Sequence, residues 1–186
     1  MNALVTGGGG FLGTAVIRRL VERGWSVRSF CRRRYPHLES LGVEQMQGDL
    51  ADEEAVSEAV REVDLVLHIG AKAGVWGKRE DFIRANIEGT RNVLSACRRC
   101  GVRRLVYTSS PSVVFPAGDM EGATEDVPYP KSYRSHYPAT KAVAERMVRE
   151  AAGSDLATVS LRPHLLWGPG DTQLIPGILA RGRTGR

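Results

Sequence analysis

A tyrosine and a lysine four positions apart open a predicted helix in the second half of the chain. The segment reads Tyr137-Pro138-Ala139-Thr140-Lys141, and this spacing places the phenol and the ammonium on one helix face. A phenol with its ordinary pKa of about 10 is a poor acid at neutral pH, whereas a neighbouring cation stabilises the phenolate and lowers that pKa. The pair therefore favours donation and recovery of a proton. Because the same spacing is frequent on exposed helix surfaces, it needs support from other parts of the chain.

Two serines end a predicted strand that precedes this helix. Ser109 and Ser110 close the run RLVYTSS, and a hydroxyl there could hydrogen-bond a carbonyl oxygen of a substrate. The end of the strand and the start of the helix are expected at the same edge of a sheet. We therefore predict that a serine hydroxyl lies near the Tyr137 phenol.

A glycine-rich turn follows the first predicted strand and leads into a predicted helix. The run TGGGGFLG satisfies GxGxxG through Gly8, Gly10 and Gly13, and TGxxGxxG through Gly7, Gly10 and Gly13. Such glycines allow a tight turn, close approach of a pyrophosphate to the helix N-terminus, and close packing of the helix on the strand. This context favours a dinucleotide site over a flexible turn without a function.

The end of the second predicted strand bears on the choice of cofactor. A site that prefers NAD usually carries an acidic residue there, which binds the ribose hydroxyls. This strand instead ends in Cys31, followed by Arg32-Arg33-Arg34. Guanidinium groups bind phosphate with paired, planar hydrogen bonds, so Arg32 favours NADP(H), although NAD(H) is possible. The alternative is that the three arginines belong to a solvated loop.

The elements that must position these residues alternate along the chain between apolar strands and amphipathic helices. Such alternation predicts an α/β fold with a doubly wound parallel sheet covered on both faces. The irregular stretch 111–135, which is rich in proline, follows the fifth strand and is expected on the substrate side. Predicted strands lie near residues 2–6, 26–31, 43–47, 64–69, 103–109 and 156–162, and predicted helices near 11–23, 52–61, 81–100, 137–152 and 173–182.

Composition narrows the class of protein. The 186 residues include 26 Lys and Arg against 21 Asp and Glu, a net charge of +5. The arginines are scattered, which argues against a nucleic-acid interface. Three cysteines are too few and odd in number for a secreted disulfide scaffold, and no apolar stretch is long enough to span a membrane. We expect a cytoplasmic protein with no metal site.

Seven segments along the chain carry motifs whose order and spacing can be compared with known families. They are TGGGGFLG (6–13), GDL (48–50), HIGA (68–71), NIEGTRNVL (86–94), VYTSSPSVV (106–114), YPATK (137–141) and LRPHLLWGPGD (161–171). Together they resemble the extended short-chain dehydrogenase/reductases, and within them the branch of 3β-hydroxysteroid dehydrogenases. The resemblance implies a Rossmann domain and an enzyme that interconverts a ketone and a secondary alcohol on a small-molecule substrate.

The resemblance also implies roles for individual residues. Ser110, three residues before Val113, would form a catalytic triad with Tyr137 and Lys141. The implied cofactor-binding set, with Arg32 added from its position, is Gly7, Gly10, Phe11, Leu12, Gly13, Arg32, Asp49, Leu50, Ala71, Asn86, Tyr137, Lys141 and Pro163. In this set Asp49 would contact the adenine, Ala71 would contribute its backbone, and Pro163 would begin the segment on the nicotinamide side. For Asn86, the role of an ordinary helix residue is the alternative.

A narrower similarity concerns the segments AKAGVWG (71–77), TSSPSV (108–113) and RPHLLWGPGD (162–171). They resemble the bacterial 2-alkyl-3-oxoalkanoate reductases, which reduce a β-keto acid with NADPH. Sterol-type dehydrogenases share much of this pattern. The resemblance therefore implies a hydrophobic β-keto acid or a sterol-like molecule as the substrate.

Family members of this type are longer than this chain. We expect residues 1–163 to form the dinucleotide-binding domain and residues 164–186 to begin a substrate-binding region that is truncated here. The resemblance implies a homodimer for the full-length protein. An apolar face is expected to be exposed in the truncated chain around Leu165, Leu166, Trp167 and Ile175.

Two other functions compete with a reductase. An NAD-dependent nucleotide-sugar epimerase or dehydratase shares the fold and the triad, but Cys31 and Arg32 lack the acid that NAD favours. A dehydratase of the family would also carry Asp-Glu after the strand-end hydroxyl, where this chain has Pro111-Ser112. A non-catalytic dinucleotide-binding regulator commonly loses the tyrosine or the lysine, and this chain retains both.

Overall fold

The computed structural model describes residues 1–74, 76–115, 120–172 and 174–184. Within these ranges six parallel strands form one sheet in the order β3-β2-β1-β4-β5-β6, which confirms the predicted doubly wound α/β fold. The strands are β1 (Asn2–Thr6), β2 (Ser26–Cys31), β3 (Glu44–Gln47), β4 (Leu65–His68), β5 (Arg104–Thr108) and β6 (Ala157–Leu161).

Helices connect the strands, and the longer ones lie close to their predicted bounds. The predicted helix near 81–100 is three consecutive helical segments, since a π-helical turn (Ile83–Glu88) joins α4 (Arg79–Phe82) to α5 (Gly89–Arg99). The remaining segments are α1 (Phe11–Glu22), α2 (Pro36–Glu39), α3 (Glu53–Val60), a 3₁₀ turn (Pro111–Val113), α6 (His136–Glu150) and α7 (Leu174–Arg183). The four-residue α2 is too short to show a helical period in the sequence.

The two faces of the sheet pack against different helices. Neighbouring residues of a strand point to opposite faces, so Leu4 and Val5 of β1 enter two separate apolar clusters. Leu4 packs in the larger cluster, which includes Val56 of α3 and Val93 of α5, whereas Val5 packs with Ile17 of α1. Both faces are therefore covered, as expected for strands with continuous apolar runs.

The order in which strands are added to the sheet reverses between β1 and β4. β2 and β3 lie on one side of β1, and β4, β5 and β6 lie on the other. The segments that follow β1 and β4 touch each other, because a Cβ added at Gly7 would lie 2.8 Å from the Cα of Gly70. Ligands of open α/β sheets bind in the crevice at this kind of switch point.

The part of the chain after β6 adds nothing to the buried core. No described residue between 164 and 184 is buried. The predicted apolar face is confirmed, since Leu165, Leu166, Trp167 and Ile175 are between 39% and 67% exposed. Residues 116–119 of the predicted irregular stretch and Gln173 of the last predicted helix lie outside the described residues. Within the described ranges, every helix is too short or too polar to cross a bilayer.

Candidate active site

The glycine-rich turn has the close packing that its sequence predicts. Gly7 adopts a φ of 70°, which favours glycine, and the Gly10 N–H donates to the Gly7 carbonyl at 3.0 Å. A Cβ at Gly13 would overlap the Gly7 carbonyl oxygen and lie 2.7 Å from the Cα of Gly8. The first turn of α1 therefore lies directly against the backbone of the turn that precedes it.

The N-terminus of α1 fits the pyrophosphate of a dinucleotide. Among the described residues, the first turn contains no acidic side chain, and the N-cap residue Gly10 supplies no side-chain hydrogen bond. The main-chain N–H groups of this turn, which include those of Phe11 and Leu12, are available to bind an anion, and the helix dipole favours negative charge there. The predicted positions of Gly10, Phe11, Leu12 and Gly13 thus agree with this site.

The end of β2 lies beside the glycine turn. The Gly9 N–H donates to the Cys31 sulfur at 3.3 Å, so Cys31 occupies the position where an acidic residue would favour NAD. Arg32 follows it and is exposed. Arg33 is engaged by Tyr35, because its Nε donates to the phenol oxygen at 3.2 Å and its guanidinium lies over the ring. Arg32 is therefore exposed beside the glycine turn, and its contact with a phosphate group remains a prediction.

Three further residues of the predicted cofactor set lie at the carboxyl ends of β3 and β4. Asp49 follows β3, and its carboxylate accepts a hydrogen bond from Arg84 at 3.1 Å. The Leu50 side chain packs against Gly70, and Ala71 is exposed just beyond β4. Their positions at the switch point are compatible with cofactor contacts, which remain predictions.

Ser110 at the end of β5 influences the Tyr137 phenol at the start of α6. Ser110 follows β5, and its hydroxyl shares a 2.8 Å hydrogen bond with Ser112. Burial raises the pKa of the Tyr137 phenol, and hydrogen bonding by Ser110 opposes part of that shift. Ser109, by contrast, is buried, and its N–H pairs with the Leu161 carbonyl of β6 at 2.7 Å. Ser110 is thus less buried than Ser109, and its contact with a substrate remains a prediction.

Lys141 lies under the same site, but its ammonium contacts the strand rather than the phenol. Its Nζ donates to the Thr108 carbonyl at 2.6 Å and lies 4.1 Å from the centre of the Tyr107 ring. Burial lowers the pKa of Lys141 to about 7. The structure differs here from the expectation that a neighbouring lysine lowers the pKa of Tyr137, because burial of the phenol dominates and the pKa of Tyr137 is raised.

Asn86, which the sequence predicts among the cofactor-binding residues, has its side-chain amide engaged within the protein. It is 1% exposed, and its side chain accepts from the Lys72 N–H at 2.7 Å and donates to the Lys72 carbonyl at 3.1 Å. It also donates to the Thr140 hydroxyl at 3.0 Å. Because these bonds use its amide within the protein, Asn86 joins the segment after β4 to α6 and supports the site from behind.

A buried histidine, His68 of β4, connects β1 to the start of α5. Thr90 donates its hydroxyl proton to the Asn86 carbonyl at 2.6 Å, so the His68 Nε2 must donate to Thr90 at 3.0 Å. The His68 Nδ1 then accepts from Thr6, 2.8 Å away. Burial, with a further contribution from Lys141, lowers the pKa of His68 to about 3. This neutral imidazole is a packed residue that uses both ring nitrogens in hydrogen bonds.

Sequence reasoning missed a buried ion pair behind the site. Glu145 of α6 is 1% exposed and accepts hydrogen bonds from Arg162, the closest at 2.6 Å. Arg162 immediately precedes Pro163, the half-buried residue predicted to begin the nicotinamide side. The available signal was the spacing of four residues from Lys141 to Glu145, which places the carboxylate one helical turn beyond the lysine.

Comparison with known proteins gives consistent matches. A model of the 3-beta hydroxysteroid dehydrogenase/isomerase family matches residues 4–185. The whole chain aligns with 57% of the length of a 2-alkyl-3-oxoalkanoate reductase from Stenotrophomonas maltophilia, and 54% of the aligned residues are identical. It also aligns with 50% of the length of a protein of the same name from Shewanella oneidensis, with 46% of the aligned residues identical. The chain thus spans about half the length of these curated relatives.

A similar solved structure is the Thermus thermophilus UDP-glucose 4-epimerase complex with NAD. The TM-score is 0.82 and the sequence identity is 33%, over 97% of this chain and 60% of that chain. The shared part contains the sheet and the helices that carry the candidate site. The likeness therefore supports a nicotinamide dinucleotide as the cofactor.

Proposed function

Because the chain belongs to the 3-beta hydroxysteroid dehydrogenase/isomerase family, we propose that the whole protein is an NADP(H)-dependent oxidoreductase. It interconverts a ketone and a secondary alcohol on a hydrophobic β-keto acid or a sterol-like molecule. The reductases at 54% and 46% identity support the first of these substrate classes.

One structural observation carries this proposal. Ser110, Tyr137 and Lys141 come together at the carboxyl end of β5, on the sheet edge that also holds the glycine turn. The 2.6 Å bond from Lys141 to Thr108 joins α6 to this strand end. A hydroxyl, a phenol and an ammonium are thus grouped where a carbonyl could lie beside a bound dinucleotide.

Each residue of the triad has a separate task. Bound NADP(H) supplies or accepts the hydride. In the reductive direction Tyr137 protonates the alkoxide oxygen as it forms, and Ser110 donates a hydrogen bond to the same oxygen. Lys141 has three N–H donors, so its bond to Thr108 leaves two for the phenolate and the cofactor ribose.

The preference for NADP(H) rests on the end of β2. Cys31 introduces no negative charge to repel a 2′-phosphate, and the exposed Arg32 follows it directly. Arg33 is held by Tyr35, which makes Arg32 the better candidate for the phosphate contact. A guanidinium can bind a phosphate with two parallel hydrogen bonds.

The apolar character of the substrate is supported by exposed side chains near the site. Trp76 is 91% exposed after β4, and Phe115 is 55% exposed after β5. Leu165 and Trp167 are similarly exposed after β6. Because all three segments start at the carboxyl ends of parallel strands, they surround the edge where the triad lies.

The remaining parts of the proposal concern organisation. Residues 1–163 form the dinucleotide-binding domain, and residues 164–186 begin the substrate-binding region. Support comes from the described residues of 164–184, none of which is buried in the core. The whole protein is proposed to be a homodimer, whose mass light scattering would measure.

A substrate panel tests the proposed function. The whole protein is mixed with NADPH and a 2-alkyl-3-oxo acid, with NADP⁺ and a 3β-hydroxysteroid, and with a UDP-hexose, and both NADP(H) absorbance and product are recorded. We expect net consumption of NADPH with the oxo acid, or net reduction of NADP⁺ with the steroid. Interconversion of UDP-hexose epimers without net cofactor turnover would replace the proposal with an epimerase.

A further inference from the structure

Glu145 is a buried carboxylate that the proposed chemistry does not use. It is 1% exposed and lies on α6 one turn beyond Lys141, which is 2% exposed. A charge removed from water is costly unless it is paired and hydrogen-bonded. Its partners should therefore reveal what the carboxylate does.

Arg162 and Tyr129 donate hydrogen bonds to this carboxylate. Arg162 donates to both oxygens through Nε and Nη2 at 2.6 to 3.2 Å, and the Tyr129 hydroxyl donates to Oε1 at 2.7 Å. Burial alone would raise the pKa of Glu145, but Arg162, through its hydrogen bonds and its charge, together with the Ser109 and Tyr129 hydroxyls, holds that pKa below its usual value. Glu145 is therefore ionised at neutral pH.

These bonds connect three segments that border the candidate active site. Arg162 lies between β6 and Pro163, and its Nη1 also donates to the Glu125 carbonyl at 3.3 Å. Tyr129 belongs to the irregular segment before α6, which the sequence places on the substrate side. Glu145 thus ties this segment and the end of β6 to the helix that carries Tyr137.

The second consequence is electrostatic. The groups that face the Lys141 ammonium are Tyr107 on β5, His68 on β4 and Glu145 on its own helix, with Arg162 behind Glu145. Tyr137 lies one turn earlier on the same helix. Because His68 is held neutral, Glu145 is the nearby negative charge among these groups. Burial lowers the pKa of Lys141 to about 7, and Glu145 opposes that shift.

Resting on the proposed catalytic role of Lys141, we propose that Glu145 is a positioning residue: its carboxylate favours the protonated form of the buried Lys141 side chain and ties the segments on both sides of the site to α6. Glu145 acts through Lys141 and touches neither substrate nor cofactor. A purely structural ion pair would hold the segments together without setting the charge of the lysine.

Lysine NMR separates these two accounts without any turnover. The chain has four lysines, so ¹³C/¹⁵N-lysine labelling gives a small set of signals in which the titration midpoint of Lys141 can be followed. Glu145→Gln keeps the size of the side chain and removes its charge. We expect the midpoint of Lys141 to fall by about 1 pH unit or more in this variant. Glu145→Asp should restore it towards wild type.

The matched control is Glu150→Gln, an exposed carboxylate farther along α6, which should leave the midpoint unchanged. If Glu145→Gln does not fold, the double variant with Arg162→Gln removes both charges together and should still lower the midpoint, because Glu145 is the nearer charge. An unchanged or raised midpoint in a folded variant would overturn the inference. That result would leave the proposed function standing, since a Tyr137 variant tests it separately.

Discussion

The Lys141 ammonium donates a 2.6 Å hydrogen bond to the carbonyl oxygen of Thr108, the last residue of β5. This bond fixes the helix that carries Tyr137 against the strand end that leads into Ser110. The two groups proposed to act on a substrate carbonyl are therefore held in register by the third member of the triad.

Burial of Lys141 predicts a dependence of stability on pH. Its pKa is lowered to about 7 in the folded chain, so the unfolded chain binds more protons above that pH. The free energy of unfolding should rise between pH 7 and 9, with a contribution approaching about 1.4 kcal/mol per pH unit. Lys141→Met should remove this contribution in urea titrations, whereas the exposed control Lys131→Met should retain it. Equal slopes for wild type and Lys141→Met would contradict the burial of a titrating ammonium.

The neutral, buried His68 predicts sensitivity to acid. Its pKa is lowered to about 3, so the unfolded state binds more protons as the pH falls below about 6.5. Stability should therefore decrease through this window. His68→Gln should be less stable at pH 7, by about 1 to 3 kcal/mol, because buried hydrogen bonds are lost, yet its stability should depend less on acid. His164→Gln, at an exposed position, serves as the control in the same denaturation series.

Close packing of α1 on the glycine turn predicts a specific sensitivity at Gly13. An added Cβ would overlap the Gly7 carbonyl oxygen, so Gly13→Ala must displace backbone and should cost about 1 to 3 kcal/mol. It should also weaken cofactor binding, because the turn moves. Gly153→Ala is the matched control, since its Cβ meets no atom within 4 Å. Thermal unfolding and a cofactor titration measure both effects, and equal behaviour of the two variants would refute the packing argument.

Arg32 is expected to distinguish the two nicotinamide cofactors. A hydrogen bond to a charged group contributes about 1.5 to 3 kcal/mol, so Arg32→Ala should weaken NADPH binding roughly tenfold or more and leave NADH binding nearly unchanged. Arg34→Ala removes another exposed guanidinium and should have a smaller effect. Fluorescence titration of both cofactors gives these affinities. Wild-type protein that bound NADPH and NADH equally would contradict the proposed preference.

Much of the fold could be predicted because it depends on local sequence. The apolar runs and helical periods predict all six strands, and the glycine spacing predicts the turn at the start of α1. The pairing of Tyr137 with Lys141 on one helix face follows from their spacing alone. Parallel strands then bring Ser110 to the same sheet edge, because their carboxyl ends share it.

The details that remained hidden depend on partners distant in the sequence. Lys141 contacts Thr108, 33 residues away, and this bond decides where the ammonium lies. The Asn86 amide bonds to Lys72 and Thr140, which lie 14 and 54 residues away. No local pattern specifies such contacts, because they form only when the sheet brings separate segments together.

The most direct test of the proposed chemistry is Tyr137→Phe in the whole protein. This change keeps the ring and removes the acidic proton, so reduction of a 2-alkyl-3-oxo acid by NADPH should slow by about 10²- to 10⁴-fold while the affinity for NADPH is retained. Ser110→Ala, measured alongside it, should lower turnover by weakening stabilisation of the developing oxyanion. A Tyr137→Phe variant that reduced the ketone at the wild-type rate would show that another group is the acid, and would contradict the assignment of this site.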